Sequence, residues 1–143
     1  MRIGRALLTL ATAATATVVA AVTFAAPAHA DSYTMYTRDA APRGGYVTYD
    51  TAANYVELCD VDPDGFRVML RVTDATTGQY KYSLQASGTG NCEYVTDGLG
   101  HPYDLADGHY ITFEIWLYSA DDGRTAGRNS ATWYNCEPPS ICV

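Results

Sequence analysis

The stretch that decides the fold is Tyr110-Ile111-Thr112-Phe113-Glu114-Ile115-Trp116-Leu117-Tyr118. Ile111, Phe113, Ile115 and Leu117 fall on one side of an extended chain, because side chains alternate with a period of two. Tyr110, Thr112, Glu114, Trp116 and Tyr118 fall on the other. One face suits a core and the other suits water or a partner, which is the pattern of a half-buried antiparallel strand.

The same alternation recurs on both sides of this run. Residues 66–73 set Phe66, Val68, Leu70 and Val72 against Arg67, Met69, Arg71 and Thr73. Residues 80–86 set Tyr80, Tyr82, Leu84 and Ala86 against Lys81, Ser83 and Gln85. Shorter β-forming runs stand at 46–49, 55–60, 92–95 and 130–136. Clusters rich in Gly, Asp, Ser and Thr at 74–78, 87–90 and 121–123 punctuate them as turns. Nothing beyond residue 30 carries a helical period with caps. Six to eight short strands at this spacing predict an all-β fold, a single small antiparallel β-sandwich.

Residues 1–30 have the features of an export signal. Arg2 and Arg5 precede a long stretch of apolar and small residues, and Ala28-His29-Ala30 satisfies the small-residue rule for cleavage before Asp31. The expected organisation is a signal peptide at 1–30, an extended N-terminal arm at 31–45 and a β-sandwich at 46–143. Removing Arg2 and Arg5 from nine basic and sixteen acidic residues leaves a net charge of −9. Such a surface repels phosphate backbones and anionic lipid, so nucleic acid and membrane are not the expected partners. Localisation is expected to be extracellular.

Cys59, Cys92, Cys136 and Cys142 allow three pairings into two disulfides, the usual state in an exported chain. Cys136 and Cys142 bracket Glu137-Pro138-Pro139-Ser140-Ile141, which suits a local clip and leaves Cys59–Cys92 as the long bridge. Zinc is the rival, but no Cys-x-x-Cys spacing is present.

Asp60-Val61-Asp62-Pro63-Asp64-Gly65 resembles the opening of a calcium loop. The twelfth position, where a bidentate carboxylate belongs, is Arg71, so an acidic turn between strands is the expected reading and no metal is assigned. His101 and His109 could pair with Asp104 or Asp107, yet no serine stands in a nucleophile-elbow pattern. No catalytic residue and no cofactor are expected. The aromatics carry more information. Tyr110, Trp116 and Tyr118 point away from the core side of their strand, and Tyr33, Met35 and Tyr36 sit in the arm. Tyr and Trp dominate protein interfaces, and flat aromatic faces also stack on sugars. Cover by a loop or by the arm is the alternative.

The run from Tyr55 to Val72, YVELCDVDPDGFRVMLRV, resembles a motif of small exported actinobacterial proteins. In these a strand ending in Cys-Asp leads through Asp-Gly into an alternating strand. One group with this profile is the small adaptor subunit of umbrella toxin particles. The resemblance implies a non-enzymatic β-sandwich that bridges a lectin-like subunit to a larger toxin-bearing subunit. It also implies a leading segment donated as a strand, here residues 32–46. The chain departs from the commoner pattern at Trp116, where related sequences often carry another cysteine, so the disulfide pairing stays open. The expected function is thus a secreted adaptor joining other secreted proteins. The alternatives are an inhibitor of an extracellular hydrolase, presenting Glu137 to Ile141, and a small carbohydrate-binding module using Trp116.

Overall fold

The computed structural model describes residues 31–40 and 43–136. Eight strands form in chain order: β1 Ser32–Tyr36, β2 Gly45–Asp50, β3 Tyr55–Asp60, β4 Arg67–Asp74, β5 Gln79–Ser87, β6 Cys92–Val95, β7 Tyr110–Tyr118 and β8 Thr125–Tyr134. They pair antiparallel into two four-stranded sheets, ordered β1-β2-β3-β6 and β5-β4-β7-β8. The sheets face each other across one core, which contains Val47, Tyr49, Val56 and Leu58 from the first and Val68, Leu70, Val72, Ile111, Phe113 and Ile115 from the second. The alternation read in β4 and β7 is therefore the inward–outward alternation of the sheet. Among the described residues no helix is long and apolar enough to cross a membrane.

In β5 the alternation breaks at one place. Tyr82 and Ala86 are buried, but Tyr80 is half exposed although it was read on the same face. Register slips between Val72 and Thr73, leaving Lys81 as an extra residue. A bulge of one residue turns everything before it to the opposite face, since the side-chain period is two.

The segment read as an extended arm, mobile or a loosely held first strand, contributes the edge strand β1. Ser32 pairs with Asp50 and Tyr36 with Tyr46, through five consecutive partners. Met35 is 6% exposed and joins the core. Tyr33 lies against Trp133, ring centroids 5.1 Å apart and nearly parallel. The end of β1 is also fastened to β8 in the other sheet. Arg38 N–H donates to Gly127 O at 2.8 Å and the Asn129 side-chain amide donates to Tyr36 O at 2.8 Å. Met35 and Tyr33 were read as anchors for a partner; here they serve the chain's own core.

Cys59 and Cys92 stand directly opposite each other on β3 and β6 and form a disulfide. This bridge closes a loop of 33 residues, worth about 3–4 kcal/mol as loop-closure entropy removed from the unfolded chain. It is the one disulfide whose two cysteines both lie among the described residues. Cys142, and with it the expected Cys136–Cys142 clip, lies outside them, as do the expected signal peptide at 1–30 and the segment Glu137 to Ile141. Cys136 is buried and not free.

Tyr49 is the largest fully buried side chain and is wholly shielded from water. Its hydroxyl has one hydrogen to give, and Asn135 Oδ1 at 2.6 Å is the nearer acceptor, with Asn54 Oδ1 at 3.2 Å. Both asparagines donate in turn to Leu105 O, at 3.0 and 3.1 Å. Asn54 holds a left-handed backbone angle, φ 45°, which Asn tolerates better than most residues. Tyr49→Phe is expected to keep the ring packing and lose the hydroxyl bond, lowering unfolding free energy by about 1–3 kcal/mol. Met35→Ala should lower it by about 2–5 kcal/mol. Urea denaturation checks both, and an unchanged midpoint for Met35→Ala would show that β1 is not part of the cooperative unit.

Candidate binding surface

The outward side of β5-β4-β7-β8 gathers aromatic and guanidinium groups into one face. Register places Arg67 opposite Tyr118, Met69 opposite Trp116 and Arg71 opposite Glu114 on β4 and β7. On the far side of β7, Glu114 faces Ser130 and Tyr110 faces Tyr134. Of the outward aromatics expected from the sequence, Tyr110 is 55% exposed, while Trp116 and Tyr118 are half-buried.

A bulge in β8 aims a cation at Trp116. Ile115 pairs with Asn129 but Leu117 pairs with Ala126, so Gly127 and Arg128 both stand across from Trp116. Gly127 has φ 61°, a conformation that favours glycine, and a Cβ there would lie 3.1 Å from Asp39 Oδ1. The resulting kink lays the Arg128 guanidinium 4.9 Å from the centre of the Trp116 ring and in ion-pair contact with Glu114. Arg71 sits 5.4 Å from the centre of the Tyr80 ring. Guanidinium over an aromatic face contributes about 0.5–1 kcal/mol at such exposed sites and holds the long side chain in one place. Tyr80 and Arg128 were not singled out from the sequence; a lone Gly127 inside a strand pattern is the signal that marks this bulge.

The other sheet's outward side is also aromatic. Tyr36, 43% exposed, lies 5.7 Å from Tyr46, and Tyr55 lies 6.0 Å from Tyr94. Arg43 stands over Tyr36. Of the arm residues read as partner-binding, only Tyr36 therefore faces outward.

The histidines separate. His109 pairs with Asp74, not with Asp104 or Asp107: Nδ1 donates to Asp74 Oδ2 at 2.7 Å. An ionised carboxylate only accepts, so Nδ1 carries the hydrogen. Asp74 Oδ1 also accepts from the backbone of Thr76 and Thr77, which closes the β4–β5 turn. Among the described residues no hydroxyl or thiol is hydrogen-bonded to His109. The pair clasps the turn to the start of β7. Burial alone would raise the Asp74 carboxyl, but the bonds from His109 and Thr77 outweigh it and hold it below the ordinary range.

The acidic turn behaves differently. Asp64 Oδ1 accepts from Phe66 N–H at 2.8 Å, a local turn bond. Asp60 is buried beside a cleft of about 290 Å³ that Asp62 and Arg67 also line. Its Oδ2 accepts from Gly88 N–H at 2.8 Å, while its Oδ1 has no partner among the described residues. Burial pushes this carboxyl up. Asp60, Asp62 and Asp64 do not converge on one point. Among the described residues the one set of three metal-ligand side chains with donor atoms within 4.8 Å is Glu57, Cys59 and Cys92, and its two sulfurs are bonded to each other.

Comparison with protein-family models, with curated proteins and with solved structures finds no match for this chain.

The lowered Asp74 carboxyl fixes the sign of one pH effect. Its folded-state value lies below the unfolded value, so the pair stabilises the fold fully above the ordinary carboxylate range. That contribution disappears as pH falls through the lower folded value. Asp74→Asn keeps an acceptor for the turn but loses the charge-assisted bond to His109. It should cost about 1–2 kcal/mol at pH 7, and the cost should vanish once pH falls below the lowered folded-state value, measured by urea midpoints across pH.

Proposed function

We propose that this chain is an exported, non-enzymatic binding module that joins other secreted proteins into a complex through the outward face of β5-β4-β7-β8. The observation that carries this reading is Trp116 near the middle of that face, held by Arg128 and flanked by Tyr118 and Met69. A large ring locked in one position loses little entropy on docking, and partly exposed Trp, Tyr and Arg are the residues that carry most interface energy. A sheet braced by a packed core is a rigid base for such a face. The export signature at residues 1–30 and the oxidised Cys59–Cys92 pair support an extracellular setting.

The resemblance to umbrella-toxin adaptors supports the same class of role, with lectin-like and toxin-bearing subunits as partners. Strand donation is harder to reconcile with the fold. To be donated, β1 would have to leave β2, withdraw Met35 from the core and uncover Trp133. Docking through the folded face needs no such rearrangement.

The test is co-purification of a tagged copy from the producing cell, with partners identified by mass spectrometry. Trp116→Ala should lose the co-purified partner at least tenfold, as for an interface hot spot, with its thermal midpoint within a few degrees of the parent. Tyr94→Ala, on the opposite sheet, should retain the partner. Retention by Trp116→Ala and loss by Tyr94→Ala would place docking on the other sheet and refute this assignment.

A further inference from the structure

The distribution of charge over the two sheets runs against the charge of the whole chain. The sequence is net −7. Yet Arg67, Arg71, Lys81 and Arg128 all stand in the strands of the β5-β4-β7-β8 sheet. The strands of the other sheet contain no Lys or Arg and carry Asp50, Glu57, Asp60 and Glu93. In the basic sheet the acids within strands are Asp74, buried against His109, and Glu114, paired with Arg128. Asp74 is turned inward, away from the outer face, and Glu114 is neutralised by Arg128. Arg67 and Arg71 make no ion pair among the described residues. Arg71 is exposed, and its register partner Glu114 is already engaged by Arg128.

We infer that the outward face of β5-β4-β7-β8 takes an acidic polypeptide surface, so that an acidic protein docks acidic partners. This rests on the binding-face reading of that sheet and names the partner's chemistry. Arg71 and Arg67 offer planar forks that match carboxylates in bidentate geometry. The fold already builds one guanidinium–carboxylate contact there, Glu114 against Arg128 beside Trp116. A partner carboxylate at Arg71 would repeat it one strand away. The basic area is bounded. Asp62 and Asp64 lie before the start of β4, and Asp121 lies in the turn after β7, where its neighbour Asp122 is already paired with Arg124. A long phosphodiester or sulfated chain would run off the cations onto these acids and be repelled. A compact acidic patch on a folded protein fits inside the rim. The acidic rim and the acidic second sheet also disfavour docking of a basic protein in the wrong orientation.

The experiment measures binding of the full chain to immobilised poly-L-glutamate, poly-L-lysine and heparin at low and high salt. The parent should bind poly-L-glutamate at low salt and release it at high salt. The double variant Arg67→Glu/Arg71→Glu should bind at least tenfold more weakly, with an unchanged circular dichroism spectrum. The milder Arg71→Gln should lose severalfold, and serves if the double variant misfolds. Arg38→Glu/Arg43→Glu, which changes net charge equally but lies between β1 and β2, should bind as the parent does. Failure of the parent to bind poly-L-glutamate overturns the inference. So does an equal loss in both double variants, which would report net charge alone. Tighter binding to heparin than to poly-L-glutamate also overturns it, in favour of a sulfated polysaccharide. In the co-purification assay, loss of the partner in Trp116→Ala but not in Arg67→Glu/Arg71→Glu would leave the binding face standing and remove its acidic partner.

Discussion

The spacing between the two sheets depends on Tyr49. Its ring fills the space between them and touches Phe113 at 4.8 Å and Trp133 at 6.4 Å between centroids. Its hydroxyl meets the asparagine pair that also holds Leu105 O. A hydroxyl this deep is tolerable only when bonded, because an unmade bond in a dry core costs far more than a made one gains. Four residues earlier on the same strand stands Gly45. A Cβ there would come within 2.7 Å of Cys59 O and of a Val68 methyl. The sheets are close where β2 starts with glycine and wide where it carries tyrosine.

The alternation of each strand decides which residues are left outside. Trp133 and Tyr33 are drawn into the wide end, where they stack on each other and against Tyr49. Trp116, three positions along β7 from Phe113, falls on the outward side of the strand's alternation, where the β8 bulge supplies Arg128 as its cover. The same division separates charge, because the arginines of β4 and β8 alternate with core residues of the sheet that also presents Trp116. Aromatic area and positive charge share one face as a consequence of one alternation.

The alternating strands were legible because a period of two is a local property. Ile111, Phe113, Ile115 and Leu117 are buried as their pattern requires, and Val68, Leu70 and Val72 likewise. The reading failed where one residue intrudes. Lys81 and the Gly127–Arg128 pair each shift the period, and a shifted period looks, in sequence, like a weaker strand. Tyrosine was the second difficulty. Tyr49 and Tyr82 are core residues and Tyr36 and Tyr110 are surface ones, although all share the same composition and the same β-forming neighbours. The leading segment was the third. SYTMY carries no turn before it and no strong alternation, so nothing local distinguishes an edge strand from a loose arm. Its place follows from Met35 meeting a cavity made by residues far along the chain.

From the amino-acid order alone came the class of fold, the identity of the main strands, the acidic balance and a preference for Cys59–Cys92 among three possible pairings. Each rests on nearest neighbours, on counting, or on loop stiffness between cysteines. Only the tertiary structure decided which face each tyrosine took, that β1 closes the first sheet, that His109 clasps Asp74, and that the strand-borne positive charge of an acidic protein is gathered in one sheet. These depend on register and on the separation of the two sheets, and both are set by side chains dozens of residues apart that meet only after the strands have paired.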